Sequence, residues 1–237
     1  MKRQRILIYI ISSFLLLSVS LTAQNETETT TDSISTQPRK FGVRVGTDAS
    51  KLLRTALDDD YTGFELIADY RFSRKFFIAG ELGNEQKEFV TDFLDITTKG
   101  TYFKIGVDYN MHDNLFPLDN MIYSGFRIGA SSFSQTLNNA TYYTTNQYWQ
   151  TQGVANELKE YSGLTGLWAE IQMGIKAEVL TNLYVGFNAQ LKYLFSQDIP
   201  ENFTNVFIPG FNKVFEDSKV GVGYGYTISY RIPLYKK

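Results

Sequence analysis

Cysteine is absent from the 237 residues, histidine occurs once and proline five times. After residue 23 no apolar run is long enough for a membrane-crossing helix, which needs about 20 residues. Each shortage excludes something. Without cysteine there is neither a disulfide staple nor a thiolate metal or redox site. The only histidine, His112, stands beside Asp113 with no second imidazole to complete a metal site or catalytic relay, and reads as a turn residue. No cluster of bases offers a nucleic-acid footprint. Missing helical spans suggest a water-soluble chain by the usual hydropathy test. That test is blind to β-barrels, whose apolar residues alternate with polar ones.

Two N-terminal stretches stand apart from the fold. Residues 1–23 read as a secretory signal: Lys2, Arg3 and Arg5 form a basic start, Ile6 to Ser20 an apolar run, and Ala23 precedes Gln24 as a small residue. The competing reading is an N-terminal anchor, which a run this short and broken by serines suits poorly. Residues 24–39 hold almost nothing apolar and are expected to form a flexible tail. Removing Lys2, Arg3 and Arg5 leaves 20 bases against 25 acids. Residues 40–237 are the length of one all-β barrel domain.

Aromatic residues make up 15% of the chain and glycines number 18. Within this composition a two-residue period recurs eight times, over 41–48, 63–72, 76–84, 101–111, 121–132, 165–179, 183–196 and 220–234. Phe103, Ile105, Val107 and Tyr109 oppose Tyr102, Lys104, Gly106 and Asp108. Val220, Val222, Tyr224, Tyr226, Ile228 and Tyr230 oppose Gly221, Gly223, Gly225, Thr227, Ser229 and Arg231. No charge falls on an apolar face. The polar faces carry seven acids (Asp48, Glu65, Asp69, Glu81, Asp108, Glu170, Glu178) and seven bases (Arg44, Arg71, Lys104, Arg127, Lys176, Lys192, Arg231), with almost all the strand glycines and Gly80 as the exception. A narrow lumen has use for glycine and for mutually neutralising charges, whereas a water-facing sheet surface does not.

The pattern predicts an all-β, eight-stranded antiparallel up-and-down transmembrane β-barrel of outer-membrane type, with short inner turns at 73–75 and 180–182 and longer external segments joining strands 3–4, 5–6 and 7–8. Phe41, Tyr70, Phe72, Phe76, Tyr109 and Tyr230 suit an inner aromatic girdle, and Tyr193 and Phe195 an outer one. The partners implied are outer-membrane lipid and the barrel-insertion machinery. Tyr235-Lys236-Lys237 departs from the final aromatic that such machinery reads. The rival fold is a soluble lipocalin-type barrel, which would turn the apolar face inward.

Several strings resemble a family of uncharacterised exported proteins, a domain of unknown function among small outer-membrane β-barrels. They are Asp58-Asp59-Asp60-Tyr61 with Gly63-Phe64-Glu65, Gly106-Val107-Asp108-Tyr109-Asn110, Asn120-Met121-Ile122-Tyr123, and Ile208-Pro209-Gly210-Phe211-Asn212-Lys213. The resemblance runs from about residue 40 onward and implies an outer-membrane barrel with no assigned activity.

Candidate sites are few. Glu65 and Asp69 share a face four residues apart, suited to an acid/base pair or, more simply, to lumen ion pairs. Asp58-Asp59-Asp60 lacks the spaced ligands of a calcium loop and reads as a solvated turn. Tyr142, Tyr143, Tyr148 and Trp149, set among amides and threonines, suit contact with a surface glycan or protein. Phe211, on the Pro-Gly turn of the last loop, joins them as an external contact, while that turn is also suited to fold over the mouth as a lid. The expectation is a non-enzymatic structural or surface-binding barrel without cofactors. The alternative is a narrow channel or carrier for a small apolar or ionic solute.

Overall fold

The computed structural model describes residues 40–92, 94–112, 119–143, 152–155, 159–200, 204–214 and 218–236. The expected signal and tail lie outside them.

Eight strands close into a ring: β1 (Lys40–Asp48), β2 (Tyr61–Arg71), β3 (Phe76–Val90), β4 (Leu94–Asn110), β5 (Met121–Tyr143), β7 (Lys159–Leu180), β8 (Leu183–Gln197) and β11 (Val220–Lys236). Each pairs antiparallel with its neighbour in the chain's order, and β1 pairs with β11 to close the seam, Arg44 opposite Arg231 and Asp48 opposite Thr227. Closure matters because it pairs most of the backbone N–H and C=O groups that an open sheet would leave along its two edges. Three additions lie at one end: helix α1 (Ala49–Leu57), β6 (Gln152–Ala155), which pairs with the tip of β5, and a hairpin of β9 (Phe207–Ile208) and β10 (Asn212–Lys213). This is the far end. The near end holds the β2–β3, β4–β5 and β7–β8 connections and the two described chain ends.

The apolar face points out and the charged face in. Leu82, Phe103, Ile105, Ile128, Ile171, Met173, Leu191 and Tyr230 are exposed, whereas all fourteen charges assigned to the polar faces are buried. This geometry excludes the lipocalin-type rival, which buries the opposite face. Going toward the far end, outward residues change from apolar to polar between Phe64 and Thr62, Leu82 and Asn84, Phe103 and Thr101, and Leu167 and Thr165. The ring therefore wears an apolar belt with a defined upper limit. Near the lower limit Phe76 stacks on Tyr109 with ring centroids 5.2 Å apart. Phe41, expected in that girdle, is buried beside an irregularity in the β1–β11 register at Phe41/Gly42.

One expectation about connections fails. β3 and β4 continue as paired strands to Val90 and Leu94, so the segment between strands 3 and 4 is a tight link and not a long loop. The outward face turns polar there (Asn84, Gln86, Lys99, Thr101), while Glu85, Ile96 and Thr98 keep the inward phase, and main-chain pairing carries the strands on. The β1–β2 connection contains a helix. Asp48 caps it, its Oδ1 accepting from the Ser50 N–H at 2.8 Å.

Candidate functional site

The lumen is the site the sequence builds most deliberately. Every second residue of each strand points into it, and the shared register brings charges from non-neighbouring strands together. At the near end Asp119, in the β4–β5 connection, takes ion contacts from Arg231 at 2.6 Å and Arg71 at 2.7 Å. Arg231 also reaches Glu178 at 3.2 Å. Next, Arg44 donates to Asp69 at 2.6 Å, and Lys176 donates to the other Asp69 oxygen at 2.8 Å. Lys176 lies 3.8 Å from Asp108, which contacts Arg127 at 2.7 Å. Arg127 in turn reaches Glu81 at 3.2 Å. Lys104 pairs with Glu81 and lies 3.5 Å from Glu65 and 3.6 Å from Glu170. Lys51, from α1, completes the sequence by pairing with Glu85 and lying 3.7 Å from Glu65.

Aromatic faces lie between these charges. The Arg44 guanidinium sits 4.6 Å from the centre of the Phe77 ring and 5.1 Å from that of Tyr184. Lys176 lies 5.0 Å over Tyr123. Cations stacked on ring faces are attracted to the ring quadrupole and exclude water from it. The Tyr102 hydroxyl donates to Glu65, and Gln172 donates to Glu170. Glu65 and Asp69, the candidate acid/base pair, are thus held by different bases. Neither is left as an uncommitted carboxylate.

The far mouth is closed by the β9–β10 hairpin. Ile208 and Phe211 pack with Tyr102, Phe133, Leu164, Trp168 and Leu194 in one apolar cluster. Phe211 is 1% exposed and lies edge-on to Trp168, so it is an internal plug residue and not an outward contact. The cause is the turn: Gly210 has φ +81°, and a Cβ there would lie 2.6 Å from the Tyr102 ring and 3.0 Å from Trp168. Only glycine allows this left-handed turn to sit on the two rings. Gly129 makes the matching allowance on the wall, since a Cβ there would lie 2.3 Å from the Trp168 indole. The Gly210 N–H donates to Glu85 and its carbonyl accepts from Lys192, both at 2.7 Å, tying the lid to the charge network.

Beyond the ring, Asp58 accepts hydrogen bonds from Arg54 and Lys87. Partial desolvation raises its carboxyl pKa, but these donors outweigh that and hold it below the ordinary value. Tyr142 and Tyr143 lie on the tip of β5; Tyr148 and Trp149 fall outside the described residues. Sequence reasoning missed Lys51, Glu85 and Asp119. Glu85 continues the inward phase of β3 from Glu81, and that phase is the signal that could have found it.

No curated protein matches the chain in sequence. Among solved structures the chain is similar to the attachment invasion locus protein Ail of Yersinia pestis (10% identity, 81% of this chain and 98% of that one, TM-score 0.41). It is also similar to Neisserial surface protein A (9%, 83% and 99%, 0.41) and to a major outer membrane protein of Thermus thermophilus (14%, 81% and 98%, 0.41). The sequence profile of one family matches residues 6–237, nearly the whole chain, and the protein therefore belongs to the family described as domain of unknown function DUF6048.

Proposed function

We propose that this protein is an outer-membrane β-barrel with a structural or surface-binding role, non-catalytic, whose filled lumen conducts little. One observation carries the reading: outside the ring is an apolar belt, and inside it is an ion network running from Asp119 to Glu85 beneath an apolar lid. A charged interior sealed by its own partners has small use as an aqueous path, because each buried ion needs the pairing that a solute would disturb. The apolar belt suits lipid, and the even strand count leaves both described chain ends on one side, as in barrels of this type. Contact with a glycan or protein falls to the far-end connections, with Tyr142, Tyr143, Tyr148 and Trp149 as the candidate residues.

Cell fractionation with detergent extraction tests the membrane reading: the protein should pellet with outer-membrane lipid and leave it only with detergent. Planar-bilayer recording tests the filled lumen. Silent bilayers are expected, and steady single-channel currents whose selectivity changes on altering Glu170 or Lys176 would instead establish a channel. Deleting residues 144–151 should abolish partner binding while heat-resistant folding persists.

A further inference from the structure

The ring is incomplete at one height. β1 ends at Asp48, opposite Thr227 of β11, while Thr47 is the last residue paired with β2, opposite Leu66. Residues 61–65 of β2 and 220–226 of β11 therefore have no strand between them, and α1 occupies the space. The helix serves the two edges unequally. On the β2 side the Thr55 hydroxyl accepts from the Gly63 N–H at 2.8 Å, its own hydrogen facing the carbonyls of Lys51 at 2.9 Å and Gly63 at 3.1 Å. On the β11 side Asp48 Oδ1 accepts from the Tyr226 N–H at 3.2 Å. By the two-residue period of a strand, the backbone polar groups of Tyr224 and Val222 point the same way, into the gap.

A cavity of about 510 Å³ lies there, within the range of small-molecule sites (~300–1,000 Å³). Its lining joins inside to outside: Glu65, Glu85 and Lys192 from the lumen, and Leu53, Leu57 and Tyr224 from the outer surface. It thus opens sideways through the wall. The cavity is lined on the β2 side by Tyr61 and Glu65, the stretch over which the outward residues of β2 change from Phe64 to Thr62 at the upper limit of the apolar belt. Leu52, Leu53 and Leu57 of α1 are exposed at this level, as on a helix lying at a membrane interface.

The inner end carries a cation with spare capacity. Lys192 is 3% exposed; its ammonium donates to the Gly210 carbonyl, and its one carboxylate contact, Glu170, is 4.0 Å away. An ammonium has three donors. Gly223 makes room for it, since a Cβ there would lie 3.2 Å from Lys192 Nζ. Lys51 and Lys104, by contrast, each hold a carboxylate in a direct ion pair.

We propose that this side opening between α1 and β11 binds a single-chain fatty acid from the outer leaflet, its carboxylate at Lys192 and its chain along Leu53, Leu57, Val222 and Tyr224. The inference rests on the membrane reading above, which fractionation tests separately. A barrel that fractionates with the membrane yet shows no preference for this opening would sink the site alone.

The test is photolabelling of the folded full-length protein in phosphatidylcholine nanodiscs, using a laurate analogue with a diazirine on its chain and mapping by mass spectrometry. Label should concentrate within residues 53–57 and 222–226, be displaced by excess laurate, and require about tenfold more analogue for half-saturation in Lys192→Gln. Gly223→Leu, which fills the cavity from the β11 wall against the movable ends of Gln190 and Lys192, should abolish the focus while heat-resistant electrophoretic mobility persists. It serves as the independent check if Lys192→Gln fails to fold. Label spread over Ile171, Leu191 and other outward residues in proportion to exposure would overturn the proposal. So would a focus obtained equally with a chain-labelled phosphatidylcholine and indifferent to Lys192→Gln, which would mean that lipid tails merely fill the gap.

Discussion

Replacing Lys104 with methionine tests whether the lumen network holds the barrel together. The side chain is 2% exposed and is the shared cation of Glu81, Glu65 and Glu170, the latter two at 3.5 and 3.6 Å. Methionine keeps roughly the length and volume but removes the charge, leaving three carboxylates facing one another. Loss of one partner from a buried pair costs about 3–5 kcal/mol. Here one cation serves three anions, so Lys104→Met should fall at the upper end of that range. The double variant Lys104→Met/Glu81→Gln removes a charge of each sign and should recover about 2 kcal/mol of the loss, because uncompensated burial, more than lost attraction, is what destabilises the single variant. Equilibrium urea unfolding in lipid vesicles, followed by Trp168 fluorescence in a Trp149→Phe background, gives the numbers, since these are the chain's two tryptophans. Trp168 is a suitable reporter: its indole is fully buried and donates to Glu170 at 3.3 Å. A single variant within 1 kcal/mol of the parent, or a double variant no better than the single, would refute the view that these charges are tightly interdependent.

Three further outcomes follow from particular contacts. Gly210→Val, strained at φ +81° and driven into Tyr102, should release the β9–β10 hairpin while leaving the ring folded. Limited proteolysis should then cut within residues 204–214, and bilayer currents should rise above the parent. Thr55→Val removes the hydroxyl that accepts from the Gly63 N–H and should cost about 1–3 kcal/mol, read most directly as faster hydrogen exchange at the Gly63 amide. Asp58 should titrate below the ordinary carboxylate range in an NMR titration, and Lys87→Ala should move its midpoint upward. With the folded pKa depressed, the stabilisation it brings is present above the unfolded pKa and disappears as pH falls through the folded one.

The strands were legible because an outward apolar face and an inward charged face write opposite chemistries on alternate residues. Where that contrast ends, so does the signal. Beyond Leu82 the outward positions of β3 are Asn84 and Gln86, and β3 and β4 continue with only the inward phase of Glu85 and Ile96 to mark them. Glu85 fell in that stretch and escaped notice. The helix α1 was hidden for another reason: at nine residues it is short, and Leu52, Leu53 and Leu57 make sense only beside the gap left by a truncated β1. Phe211 was misjudged because Pro209-Gly210 signals a turn without saying which way the turn faces. Its direction is set by the space above Gly129 and the rings of Tyr102 and Trp168, a long-range property that local sequence does not carry.

Arg231 sits on β11, the strand whose pairing with β1 closes the ring, and its guanidinium answers Asp119 and Glu178 from earlier in the chain. Lys176 of β7 likewise answers Asp69 of β2 across the lumen. A partly built sheet would leave these acids unneutralised, so docking of the β8–β11 pair against β1 completes the wall and discharges the interior in the same event. Assembly should accordingly be all-or-none: truncation after β8 should give no stable partial sheet, only material that quality-control proteases remove.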